Sequence, residues 1–430
     1  MPKYIGKPIQ RLEGVGHVTG KTTYVDDVHL PGMLSIKVLH SPVHKGIIHS
    51  IDTSGAENMP GVAGVITAKD IPGMNRRWDP GQPLFVDKHI RFKGEMLGAV
   101  AAVDEETAIE AIEKIKVDIE EQTPVFDPIE AMKPDAPKVR PEGNILILNS
   151  GSSRKICKGD IEQGFAEANE IVEKKYITKI NAHAAIEPHA SVAYIDENDR
   201  LAIYTMGQMP FMHLRQLSAV FNLPMSKIHL IGYRIGGAFG GKSENLTDNV
   251  TGLMAIKIRK PVKYRWTRKE DLLYSPKRAA FILEYKSGVK KNGKVTAHKI
   301  CLIHDGGAYA PLGDYGVSKP CIYSAGPYNV PNVWYDGYYV FTNKNVSVPR
   351  RGYLSVDVTF AVEMQMNLLA EAIGMDPWEI RFINAWQDGD FGPTMWKVTA
   401  CGLIDTMKKA AEIAGIELPP HLETMSSEGR

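Results

Sequence analysis

Short apolar runs separated by polar and glycine-containing breaks predict strands at 34–39, 62–67 and 97–103 in the first part of the chain. One clear helix begins near Glu105. Asp104 is its N-cap, and an apolar face follows at Ala108, Ala111, Ile112 and Ile115, spaced three and four apart. The strand 116–119 comes next, so the first 125 residues read as one α+β unit. Five prolines between Thr123 and Asn144 then mark a linker, placed at 126–150.

Beyond it, the pattern predicts a helix over 161–169 and strands at 171–176, 191–196 and 201–206. A helix at 209–221 and a strand at 227–231 follow, running toward a glycine-rich segment. A helix over 249–259, strands at 262–267, 281–286 and 295–304, and helices at 357–373 and 403–414 complete a second α+β region over 151–430. The fold class is α+β, and 430 residues are enough for more than one core.

Composition mainly excludes. Lys plus Arg number 51 against 50 Asp plus Glu, which leaves no general field for nucleic acid or a membrane surface. The four cysteines, Cys157, Cys301, Cys321 and Cys401, are scattered and offer no cluster-ligand spacing. No run approaches the roughly 20 apolar residues of a spanning helix, and the N-terminus lacks an apolar signal core. The expectation is a cytoplasmic protein without iron–sulfur ligands of its own.

The chemistry concentrates at Gly236-Gly237-Ala238-Phe239-Gly240-Gly241-Lys242-Ser243. These residues satisfy the phosphate-loop pattern G-x-x-x-x-G-K-S/T, in which backbone N–H groups cradle phosphates. They also contain two glycine pairs and a phenylalanine that the pattern does not require. Glu244 and Asp248 place negative charge where phosphates would gather, and the nearest candidate for a magnesium-holding acid is Asp305. On the residues alone, a phosphate loop and a bare-backbone cradle for another ligand both stay open.

The segment also resembles the G-G-G-F-G-G-K signature of the molybdenum hydroxylases, the xanthine dehydrogenase and aldehyde oxidase family, with Ala238 in place of the third glycine. The resemblance continues in order through Val18-Thr19-Gly20-Lys21, Leu30-Pro31-Gly32, Pro60-Gly61-Val62, Ile186-Glu187-Pro188, Gly326-Pro327-Tyr328 and Met375-Asp376-Pro377. It implies an N-terminal α/β hammerhead domain over 1–125 and a first molybdopterin-binding domain over 151–430.

The resemblance implies roles for particular residues. Gly237, Phe239 and Gly240 would lie against the cofactor, and Gln208 would hydrogen-bond the metal's apical oxo group, an amide donor suiting an anionic oxygen. Arg351-Gly352 matches the cofactor-contacting Arg-Gly, although Leu354 and Asp357 depart from the pattern. Lys319 and Ser243, with Phe239, would face the substrate. His183, His189 and His213 carry a weaker metal-site reading, because this family holds molybdenum through pterin sulfurs and not through protein side chains.

What the chain lacks is also informative: the family's G-x-G-E loop, which carries the catalytic glutamate, does not occur. The resemblance therefore implies a second molybdopterin-binding subunit that supplies this base. FAD and 2Fe-2S clusters would lie on further subunits, and the cofactor would be molybdenum-molybdopterin in its cytosine dinucleotide form. The implied reaction is hydroxylation of an N-heterocycle or aldehyde carbon with oxygen from water. A structural or catalytically silent subunit of such a complex is the alternative.

Overall fold

The computed structural model describes residues 3–79, 81–147, 154–244 and 246–426. In chain order its strands are β1 (Leu34–His40), β2 (Gly46–Asp52), β3 (Val62–Thr67), β4 (His89–Ile90), β5 (Met96–Ala102), β6 (Lys116–Glu121), β7 (Arg154–Lys158) and β8 (Glu170–Ile177). The remainder are β9 (Ala190–Ile195), β10 (Leu201–Thr205), β11 (Ile228–Gly232), β12 (Val262–Arg265), β13 (Phe281–Val289), β14 (Val295–Gly307) and β15 (Asn332–Phe341).

A seven-stranded sheet runs β11-β10-β9-β12-β1-β5-β3. Its two halves come from distant parts of the chain and meet where β1 pairs in parallel with β12, Leu34 opposite Val262. The N-terminal unit is thus continuous with the following region through backbone hydrogen bonds. β5 is buried along its whole length, which explains its unbroken apolar run in place of an alternating one. Asp104 caps the helix Glu105–Glu113, accepting from the Thr107 N–H at 2.8 Å.

The second sheet, β7-β15-β14-β13-β8, is built on the long antiparallel pair β13 and β14, with β15 parallel to β14. The helix Ser355–Ile373 packs against β13 and β8. Its apolar face at Val358, Ala361, Val362, Met366 and Leu369 is fully buried. A three-stranded sheet, β4-β2-β6, completes the N-terminal unit.

Two expectations change. The helix expected over 161–169 closes at Ala166, and Asn169 instead joins β13 through the carbonyl of Val289. The proline-rich stretch is no free tether where it is described. Asp127 caps a helical turn at Pro128–Ala131, and Val125, Ala131 and Val139 are buried in the core of the second sheet. Asn144 locks the turn by accepting from Val139 N–H and donating to the carbonyls of Ala131 and Pro137. Residues 148–150 of the expected linker lie outside the described residues.

Candidate functional site

β11 ends at Gly232, and the helix Asp248–Ile258 begins well beyond Lys242. Between them the backbone enters left-handed territory at Gly237 (φ +100°), Phe239 (+54°) and Gly240 (+103°). For a phenylalanine this conformation costs about 1–2 kcal/mol, so the surroundings must hold it. They do so with backbone hydrogen bonds. The Phe239 carbonyl accepts from Arg351 N–H at 2.8 Å. Gln208 Oε1 accepts from both Gly240 N–H (3.0 Å) and Lys242 N–H (3.3 Å), while Gln208 N–H donates to the Lys242 carbonyl at 2.9 Å. A Cβ on Gly240 would lie 2.1 Å from the Pro349 carbonyl oxygen, so only glycine fits there.

Three histidines bind carbonyl oxygens in the loop and in the adjoining segment at Pro349. His183 Nε2 donates to the Pro349 carbonyl (2.7 Å), His189 Nε2 to that of Gly241 (3.2 Å) and His213 Nε2 to that of Ser243 (2.6 Å). Burial pushes the His183 imidazole down to about 4 and lowers that of His213 as well, which keeps both neutral. Their role is to bind carbonyl oxygens, in place of the metal site weighed from sequence. Among the described residues, no group of three or more His, Cys, Asp or Glu side chains is placed to hold a metal ion.

Lys242 is 2% exposed. Its ammonium donates to Glu187 Oε2 at 2.8 Å, and the same oxygen accepts from Gly236 N–H at 2.6 Å. This overturns the phosphate-loop spelling, because the lysine that should reach a phosphate is committed to a carboxylate and no helix starts beside it. Glu244 is likewise buried and paired with Arg77. Asp305, the candidate magnesium acid, accepts from Thr342 Oγ1 at 2.6 Å and pairs with Lys344.

A cavity of about 990 Å³ opens against the loop, lined on one side by Gly236, Gly237, Phe239 and Glu187 and on the other by His17 and Tyr24. Phe239 remains 46% exposed, an unusual condition for a large aromatic held in a strained backbone. Gln208, Phe239, Gly240 and Arg351 are therefore joined directly, and Gly237 shares the cavity with Phe239. Lys319 lies 5.5 Å from the Tyr353 ring and 5.8 Å from that of Tyr315, beside the turn that follows Arg351. Ser243, expected at the substrate, is 5% exposed and sits beneath the loop, its N–H directed to the Gly240 carbonyl at 3.3 Å.

Sequence reasoning missed the anchoring by Glu187 and the wall formed by the N-terminal segment. A buried lysine requires a counter-charge, yet nothing in the order of residues shows which acid supplies it. The departure at Leu354 is accommodated at φ +67° with the side chain fully buried in the second core.

Comparisons with known proteins give the family and the fold. The profile of the molybdopterin cofactor-binding domain matches residues 144–385, and that of the aldehyde oxidase and xanthine dehydrogenase a/b hammerhead domain matches 19–123. The chain is 32% identical over 413 residues to the nicotinate dehydrogenase large molybdopterin subunit of Eubacterium barkeri, covering 95% of this chain and 96% of that one. It is 36% identical to a probable xanthine dehydrogenase subunit of Bacillus subtilis, with 90% of this chain but 52% of the relative covered. The aldehyde oxidoreductase structure from Desulfovibrio gigas superposes with a TM-score of 0.89 at 29% identity, covering 94% of this chain and 46% of that one. The chain thus spans about half the length of several relatives it matches.

Proposed function

The chain belongs to the molybdenum hydroxylase family, and on that premise we propose that it forms one wall of a molybdopterin active site that hydroxylates an N-heterocyclic or aldehyde carbon. The residues fit such a group. Gln208 spends its carboxamide oxygen on two loop N–H groups, so its NH₂ is the end left for an anionic oxygen. Phe239 offers an exposed ring beside the cavity, and the exposed Arg351, whose N–H binds the Phe239 carbonyl, carries a guanidinium fork. Lys319, over the Tyr315 and Tyr353 rings, supplies a cation suited to a carbonyl or carboxylate of the substrate.

When bound, the molybdenum centre supplies a two-electron oxidation in which a C–H bond and water become C–OH, two protons and two electrons. This chain's residues orient and enclose. With the group bound, the Gln208 NH₂ would donate to an anionic oxygen of it, Phe239 would wall the pocket against bulk water, and Lys319 would hold the substrate's polar end. The proton-accepting glutamate comes from a second molybdopterin-binding subunit carrying a G-x-G-E loop. The electrons would be taken up by 2Fe-2S and FAD subunits, and the cofactor would be the cytosine dinucleotide form of the pterin.

The observation that carries this reading is the double acceptance by Gln208 Oε1, which leaves the amide NH₂ unspent beside the loop that displays Phe239. Isolation of the chain with its native partners, followed by assay of molybdenum, pterin and oxidation of nicotinate-like, purine-like and aldehyde substrates, tests it. A fully assembled complex without molybdenum defeats it in favour of a silent structural subunit.

A further inference from the structure

A nearly inaccessible ammonium is costly unless a charge and hydrogen bonds compensate it. Lys242 meets that condition through one atom, Glu187 Oε2, which also accepts the Gly236 N–H. The first residue of the glycine loop and its lysine are therefore tied to the same oxygen, and the loop closes around it. Phe239 and Gly240 lie inside this closure. The backbone reinforces it, since Glu187 N–H donates to the Gly236 carbonyl at 3.1 Å. Gly236 is itself constrained, because a Cβ there would stand 2.6 Å from Glu187 Cβ. The Glu187 side chain is 10% exposed, and Oε1 has no partner among the described residues, so the tie runs through a single oxygen.

We propose that Glu187 is a positioning residue for the reaction: its Oε2 closes the 236–242 loop through the Gly236 N–H and the Lys242 ammonium, and so sets the placement of Phe239 and the Gln208 amide. It acts through the loop. The catalytic part of this inference rests on the reading under Proposed function, whereas the loop-closing part stands by itself.

The test uses two measurements. In the full-length chain, Glu187→Gln keeps an oxygen for Gly236 but leaves Lys242 buried without its counter-charge. Amide hydrogen exchange across 236–242 should rise about tenfold, with no change in Glu173→Gln, an exposed acid on β8. In the assembled enzyme, turnover per molybdenum atom should fall about tenfold with KM little changed. Adding Lys242→Met to Glu187→Gln removes the unpaired charge and should restore part of the loss, a coupling that independent structural damage does not produce. Should Glu187→Gln not fold, Glu187→Asp retains the charge one methylene short and should give intermediate exchange. Unchanged exchange across 236–242, or strictly additive effects of the two substitutions, overturns the proposal. A complex without molybdenum refutes the function instead and leaves the exchange result to decide this inference.

Discussion

The backbone N–H of Arg351 donates to the carbonyl of Phe239 at 2.8 Å, joining the glycine loop to a segment that follows the second sheet. Any residue except proline can supply that N–H, so the loop tolerates the altered sequence around Arg351. Arg351→Ala should therefore leave stability within about 0.5 kcal/mol, as for other exposed positions. It should nevertheless weaken cofactor retention, because the guanidinium is lost. Arg351→Pro should lower both. Thermal melts together with molybdenum content of the purified complex separate the two effects; equal behaviour of the variants counts against the backbone account.

Under the proposed function, Gln208 divides its amide between structure and chemistry. Gln208→Glu preserves the acceptor for Gly240 and Lys242 but has no N–H to offer an anionic oxygen. Turnover should fall about 10²–10³-fold, the range seen when one preorganised donor is removed, with the melting temperature little changed. Gln208→Ala should lose the loop bonds too, lowering both. Steady-state kinetics normalised to metal content checks this, and full activity in the glutamate variant excludes a donor role.

Leu354 sits where the family signature has glycine, at φ +67° and fully buried. Leu354→Gly relieves about 1–2 kcal/mol of left-handed strain. Emptying a buried leucine site costs about 2–5 kcal/mol. The cavity outweighs the strain, and the variant should be less stable by about 1–3 kcal/mol in urea unfolding; a stabilised variant shows that strain dominates.

Acid stability follows from buried imidazoles. Burial pushes His40, His183 and His298 down to about 4 and His304 down to about 3, against about 6.5 for an exposed histidine. Between those values the unfolded chain binds protons that the folded chain refuses, so this stability is present above pH 6.5 and lost as pH falls toward 4. Asp248 works in the opposite sense: burial raises it to about 7, so its folded form holds a proton that the unfolded form releases. His89 and His213 act in the same sense as these four histidines, and Glu95 and Asp357 in the sense of Asp248, which leaves a net uptake of protons on unfolding in this window. The urea midpoint should fall steadily from pH 6.5 to 4.5, and a flat midpoint contradicts the assignment.

Much of this protein could be read from residue order because the signals were local. Apolar spacing placed most strands and the long helices, and Asp104 announced its helix because capping involves neighbours three positions apart. The glycines around Phe239 signalled unusual backbone for the same reason: a missing Cβ is a property of the residue itself. Only the tertiary structure decided what depends on partners remote in sequence. It joined β1 to β12, turned the proline-rich stretch into a packed strap, and gave His183, His189 and His213 carbonyls to hold. It also settled the meaning of Lys242, whose spelling suited a phosphate. Burial forced a counter-charge on that ammonium, and folding chose Glu187 to supply it.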